Sequence, residues 1–334
     1  MRLENILALT KGTLYSNPHI SFFDTIAFEV SKVKRGSIFV AHNPSDIPEA
    51  LSSGAYGILF DKPTQIADSE VAWIKVNNLD EALKRLLRFY LLEKELRVYT
   101  CDPIMLYLSN AVSTPSNICP IDGNVAQVWD KLASLAKGSL VLFSPLLTDS
   151  EIFIETKPLP NTQESTIIIV EHTLFETSFV YDDIFYERQM LSPFFIPHLE
   201  HLLFFYTQMG IPFQIKNFSR IGHFIPVFTN ERLEVKEFGS SDHVVIFEPL
   251  LELINTQIDF LEQEASWSRR LYILPKIMKT PRTMGVENIL FYEDSQKILK
   301  LLESHPFHFA LVAGVDKTIL NPPNPKTQQL ELEF

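Results

Sequence analysis

The sequence predicts an α/β fold of three consecutive segments, and three observations predict it. Short apolar runs recur along the chain as strands buried on both faces do; Gly36-Ser37-Ile38-Phe39-Val40-Ala41 and Val244-Val245-Ile246-Phe247 are examples. Between them lie stretches whose apolar residues fall three and four apart, the spacing of a helix with one face on a core. Polar, proline-containing stretches at 113–123 and 157–165 interrupt the alternation and read as loops. The alternation itself argues parallel sheets with helices on both faces.

In the first segment, 1–95, strands are expected at 36–41, 57–60 and 73–76 and helices at 47–53 and 79–92. Asn78 offers an N-cap to the second helix, whose Leu79, Leu83, Leu86, Leu87 and Tyr90 share a face. The second segment, 96–228, carries strands at 96–99, 139–143 and 166–170 and an amphipathic helix at 125–136. Partial alternation over 179–187 predicts a hairpin turning at Asp182-Asp183. Pro197 opens a helix that runs to Met209, where Gly210 and Pro212 stop it. The third segment, 229–323, repeats the rhythm with strands at 244–247, 271–274, 289–292 and 309–312 and helices at 250–264 and 295–304. Pro322-Pro323-Asn324-Pro325 ends it, and 324–334 is a polar tail.

Composition bounds the function. A chain of 334 residues with 46% apolar and 21% charged residues is an ordinary globular protein, long enough for two or three domains. Its 29 basic and 41 acidic residues give a net charge of −12 and form no basic stripe, which argues against a nucleic-acid partner. Glycine is scarce, 11 residues in all, so few positions allow a backbone to close around a phosphate. The N-terminal residues lack the features of a signal peptide, and no apolar run reaches membrane-span length. With only Cys101 and Cys119, a disulfide framework is not indicated, and a reduced, cytoplasmic setting is expected.

Three stretches carry a family resemblance. Val33-Lys34-Arg35-Gly36-Ser37-Ile38-Phe39-Val40-Ala41, then Ile47-Pro48-Glu49-Ala50-Leu51 and Gly54-Ala55-Tyr56-Gly57-Ile58-Leu59, resembles the first domain of the Mur ligases, with its DSR-x-V-x-x-G-x-L-F-V-A and A-x-x-x-G-A patterns. Phe179-Val180-Tyr181, Ser192-Pro193-Phe194, His198, Gly210-Ile211 and the run from Pro226 through Arg232-Leu233-Glu234-Val235 resemble the stretch ending in G-R-L-E-V of the MurF type. Val245-Ile246-Phe247-Glu248-Pro249, Arg270-Leu271-Tyr272-Ile273-Leu274 and Ala310-Leu311-Val312-Ala313-Gly314 follow the order of the MurF third domain. The resemblance implies a Mur-like first domain, a reduced central domain and a Rossmann-like C-terminal domain. In the family, MurF joins D-Ala-D-Ala to the peptidoglycan precursor tripeptide at the expense of ATP.

The family's chemistry does not carry over. Its uridine-side Asp-Ser-Arg falls on Glu29-Val30-Ser31, without the arginine and its bidentate donor. Its nucleotide-sugar loop falls on His42-Asn43-Pro44-Ser45-Asp46. Its T-G-[ST]-x-G-K-T-T loop for ATP falls on Thr100-Cys101-Asp102-Pro103, which has no glycine and no lysine. The stretch before Val170 is short, and no replacement for the family's magnesium ligands or modified lysine is found in it. The third-domain elements shrink to Phe247-Glu248-Pro249, Leu274-Pro275-Lys276-Ile277-Met278-Lys279 and Val312-Ala313-Gly314-Val315-Asp316. Arg232 matches a family arginine, and Arg232, Glu248 and Asp316 are the candidates for residual ligand contact. One arginine cannot sustain acyl-phosphate chemistry, which needs metal and cationic clamps.

Other constellations are weaker. His198 and His201 stand at helical i and i+3, a metal-capable spacing without an evident third ligand; two polar helix histidines is the plainer reading. His305 and His308 bracket a proline turn. No G-x-S-x-G elbow supports a hydrolase. Cys101 at a helix start could be a reactive thiol, which Asp102 beside it opposes. Phe194-Phe195 and Leu202-Leu203-Phe204-Phe205-Tyr206 suit either an interface or, more simply, a buried helix.

The expectation is therefore a MurF-like protein without ligase activity and without a cofactor. It would act as a binding or scaffold partner of cell-wall synthesis proteins or of a UDP-MurNAc-type precursor. The alternatives are a divergent enzyme of nucleotide-sugar or peptide metabolism, which requires Arg232, Glu248 and Asp316 to meet in one pocket, and a Mur-like fold with an unrelated role.

Overall fold

The computed structural model describes residues 1–161, 166–216, 218 and 221–320. The predicted polar tail and part of the second loop stretch lie outside them. By its contacts the chain groups into two compact units, Met1–Leu106 with Thr114–Pro160, and Tyr107–Ser113 with Asn161–Phe334.

Unit 1 begins with α1 (Leu3–Thr10), β1 (Thr13–Leu14), β2 (Thr25–Ala27) and β3 (Ser37–Val40). It continues through α2 (Ile47–Ser52), β4 (Gly57–Phe60), β5 (Ala72–Lys75) and α3 (Leu79–Leu91). These strands form one sheet in the order β1-β5-β4-β3-β2, parallel except for β1. Alternate residues feed two cores: Ile38, Val40, Leu59 and Ile74 on one face, Phe39, Ile58, Phe60 and Trp73 on the other. That double burial is why these strands read as unbroken apolar runs.

β6 (Arg97–Thr100) then opens a second parallel sheet, followed by α4 (Pro103–Ala111) and β7 (Val112–Ser113), which carry the chain into unit 2. β8 (Ile118–Ile121), α5 (Val125–Ser134), β9 (Leu140–Phe143) and β10 (Lys157–Pro158) complete it in the order β10-β6-β9-β8. α3 packs against both α1 and α5, and its Leu83, Leu86 and Leu87 share one core with Ile38 and Ile74 of the first sheet and Val98, Val141 and Phe143 of the second. Asn78 caps it as predicted, accepting the Glu81 N–H at 3.0 Å. β8 lies inside a stretch expected to be loop. Its Pro120 disguises it, and the strand tolerates proline because it sits at the sheet edge.

Unit 2 holds a three-stranded antiparallel sheet of β11 (Ile168–His172), β12 (Thr177–Tyr181) and β13 (Ile184–Gln189). β11 starts two residues later than the sequence predicts. The hairpin turns at Asp182 and Asp183, both left-handed with φ 49° and 59°, the geometry of a tight two-residue turn. α6 (Ile196–Gln208) buries Leu202, Leu203, Phe205 and Tyr206, so the aromatic run is core, and Gly210 ends the helix with φ 63°. β14 (Gln214–Ile215) pairs with β7.

The last sheet has the order β15-β16-β19-β17-β18, parallel except for β15. Its members are β15 (Ile225–Thr229), β16 (His243–Glu248), β17 (Arg270–Pro275), β18 (Ile289–Tyr292) and β19 (Phe309–Ala313). α7 (Ile254–Glu264), α8 (Pro281–Met284) and α9 (Ile298–Ser304) fall between them. No helix among the described residues is long and apolar enough to cross a membrane.

Candidate functional site

The carboxyl end of β6 is where an α/β sheet offers a phosphate the N–H groups of the next helix. Here Asp102 stands at that helix start, and its Oδ1 accepts the Met105 N–H at 2.8 Å. The Cys101 N–H is given to the Phe143 carbonyl at 2.9 Å, extending the β6–β9 pairing, and Pro103 has no N–H. The helix thus meets its own carboxylate where the resemblance puts a nucleotide phosphate. A second anion there would meet charge repulsion and find the Met105 donor taken. Cys101, Pro103, Ile104, Met105 and Leu106 are all buried, so the turn is packed rather than open.

Cys101 is a structural thiol in this setting. Burial first, and then the Asp102 charge, push its pKa well above the ordinary value, and its Sγ points to the Phe143 carbonyl at 3.7 Å. A thiol so placed lacks the thiolate character a nucleophile needs.

In unit 2, Glu248 at the end of β16 is fully buried. His223 Nδ1 lies 2.8 Å from its Oε1, and the Leu250 N–H donates to the same oxygen at 2.8 Å. Oε2 accepts from the Phe224 N–H at 3.1 Å and from Gln257 Nε2 at 2.5 Å. The His223 ring stands edge-on to Tyr107, with centroids 4.8 Å apart. Phe224, held at φ 48°, is a bulky residue in the left-handed region, and its N–H is fixed by this carboxylate. His223 lines a cavity of about 30 Å³, room for water but not for a substrate. The cluster ties the start of β15 and α7 to the end of β16. Local sequence could not have paired His223 with Glu248, 25 residues away.

The three candidate contact residues do not meet. β15 and β16 are antiparallel, with Ile225 opposite Phe247 and Thr229 opposite His243. Arg232, just past Thr229, is therefore at one end of the sheet and Glu248 at the other, roughly 16 Å of strand away. Asp316 follows β19, whose Ala313 pairs with Glu248, and so shares Glu248's end of the sheet. Arg232 and Asp316 are exposed; Asp316 Oδ1 accepts the Thr318 N–H at 3.0 Å.

At the carboxyl ends of β17 and β18 lies a cleft of about 240 Å³ lined by Lys276, Lys279, Lys297, Glu293, Phe291 and Tyr292. Lys276 is paired with Glu293, and the Lys279 ammonium lies 5.9 Å from the centre of the Phe291 ring. Three lysines against one glutamate leave the cleft cationic, on the edge where open α/β sheets take ligands. Elsewhere, the His198 ring packs on Phe194 with centroids 5.9 Å apart. No group of three metal-binding side chains gathers among the described residues. His305 Nδ1 lies 3.0 Å from the Leu301 carbonyl at the end of α9, and His308 Nδ1 accepts the Arg269 N–H at 3.1 Å.

No family model and no curated protein matches the sequence. Solved structures do. MurF from Acinetobacter baumannii is 11% identical and superposes with a TM-score of 0.53, covering 99% of this chain and 98% of its own. MurF ligase from Thermotoga maritima in complex with ADP is 13% identical, with a TM-score of 0.49 over 89% of this chain and 95% of its own. With the order of sheets described above, the Acinetobacter superposition makes the fold of this chain that of a MurF-type Mur ligase.

Proposed function

We propose that this chain is a non-catalytic, MurF-like binding or scaffold protein of peptidoglycan-precursor synthesis, acting in the cytoplasm. The observation that carries the reading is Asp102, whose carboxylate caps α4 where the family's ATP loop would lie. The segments 1–95, 96–228 and 229–323 correspond in this reading to the ligase's first, central and third domains, with the central one reduced. Binding is supported by the lysine-lined cleft at the ends of β17 and β18, which suits an anionic group such as the diphosphate or carboxylates of a UDP-MurNAc-peptide. The divergent-enzyme reading lacks its condition, since Arg232 and Glu248 stand at opposite ends of their sheet.

The experiment is a thermal-shift series with UDP-MurNAc-tripeptide, UDP-GlcNAc and muropeptides at millimolar concentration. A ligand that binds only the folded protein raises the melting temperature by mass action. UDP-MurNAc-tripeptide is expected to raise it, and the Lys279→Ala/Lys297→Ala double variant to lose that rise. No shift with any of the three would remove the link to the cell wall and leave a Mur-like fold in another role.

A further inference from the structure

A cavity of about 470 Å³ in unit 2, at the amino ends of β16 and β19, has no part in the reading above. Its walls are aromatic: Phe175, Phe228, Phe238, Trp267 and Phe309. Phe175 lies 5.9 Å from Phe228 and 6.1 Å from Phe309, and Trp267 stands edge-on to Phe309 at 6.0 Å. Phe175, Phe228 and Phe309 are buried and fix the floor, whereas Trp267 is 73% exposed at the mouth. An indole left in water beside an apolar cavity is a surface that a ligand would cover.

The polar part of the lining is acidic apart from two histidines, His172 and His308, the second of which accepts the Arg269 N–H on Nδ1. Glu176, Asp242 and Glu264 contribute carboxylates, and no lysine or arginine lines the cavity. None of the three carboxylates has a cationic partner within ion-pair distance among the described residues; of the cations nearby, Arg270 is engaged by Glu262 at 3.1 Å, Arg188 shares an adjoining cleft with Glu176, and Arg269, next to Phe309 by its backbone, is exposed. Aromatic faces carry negative charge of their own, so rings and carboxylates favour the same ligand charge. Phosphates, nucleotides and carboxylates are disfavoured here, opposite to the lysine-lined cleft. The volume is that of a small-molecule site.

We propose that this cavity binds a small organic cation with an apolar, ring-bearing body, its ammonium placed among Trp267, Asp242 and Glu264. The probe is benzyltrimethylammonium, with phenylacetate as the anion of similar body and benzyl alcohol as the neutral control. Trp267 is the one exposed tryptophan of three, Trp73 and Trp129 being buried, so protection of tryptophan emission from acrylamide quenching reports on the cavity. Saturable protection by the cation, at least tenfold tighter than by phenylacetate, is expected. Trp267→Phe should retain binding measured by calorimetry, and Trp267→Ala should weaken it about tenfold. Asp242→Asn/Glu264→Gln should weaken it severalfold, more at low salt than at high. Equal affinity for cation and anion, no saturable binding, or cation binding unchanged in Trp267→Ala with the far-ultraviolet spectrum intact would overturn the proposal.

Discussion

Asp102 does at one residue what loss of a whole loop would do: it fills the anion position of α4 with a covalently attached carboxylate. Removing that carboxylate should cost the helix its cap, about 1 kcal/mol by chemical denaturation of Asp102→Ala, without creating ATP affinity, because no lysine or glycine follows. Lys84 on α3 is the opposite case, a cation in contact with Asp149 at 2.5 Å, Glu81 at 2.9 Å and Glu151 at 3.3 Å. The Asp149 hydrogen bond, then that of Glu81, raises the Lys84 pKa, and the pairing lowers that of Asp149. Since the three carboxylates are half-exposed, Lys84→Met should cost only about 1 kcal/mol. His243 is shifted the other way: burial lowers its pKa below 6.5 against the raising effect of Asp242 and Glu231. The fold favours the neutral ring, so this contribution is complete above pH 6.5 and is lost as pH falls toward the folded value. The melting-temperature gap between wild type and His243→Gln should narrow between pH 7.5 and pH 5; a constant gap would contradict the assignment. Asp102 was legible in the sequence because a strand and a helix start frame it. The buried Glu248 cluster was not, because its partners His223, Phe224 and Gln257 come from separate stretches that only the fold assembles.

Elements were legible where local chemistry and burial agree. α3 has its cap and its apolar stripe in sequence, and Leu86 at the centre of that stripe is fully buried. Leu86→Ala should cost about 2–5 kcal/mol, read as a lower denaturation midpoint. The β12–β13 turn was legible in the Asp182-Asp183 pair, and Asp182→Asn/Asp183→Gly, better suited to positive φ, should stabilise by about 0.5–1 kcal/mol. β8 and β15 were not legible. Pro120 put the first inside a stretch read as loop, and the second, which contains Pro226, was given no strand reading, yet both lie at sheet edges, where proline is tolerated. Edge position is set by the sheet, not by the strand's own residues.

Across the whole molecule, runs buried on both faces made the α/β class readable, and their order along the chain carried the Mur-like resemblance that the Acinetobacter superposition bears out at the level of fold. Chemistry is thinner than architecture here. Eleven glycines in 334 residues leave little backbone able to wrap a phosphate, and the aromatic cavity is built from residues 172–309, too scattered for any motif to announce it. We propose a ligase fold whose nucleotide position is closed by the Asp102 carboxylate. It is tested most directly by measuring phosphate and ADP release from Mg-ATP with UDP-MurNAc-tripeptide and D-Ala-D-Ala present, against a MurF ligase as control. Release no faster than in buffer alone is expected; ADP formed in proportion to a UDP-MurNAc-pentapeptide product would overturn the non-catalytic reading.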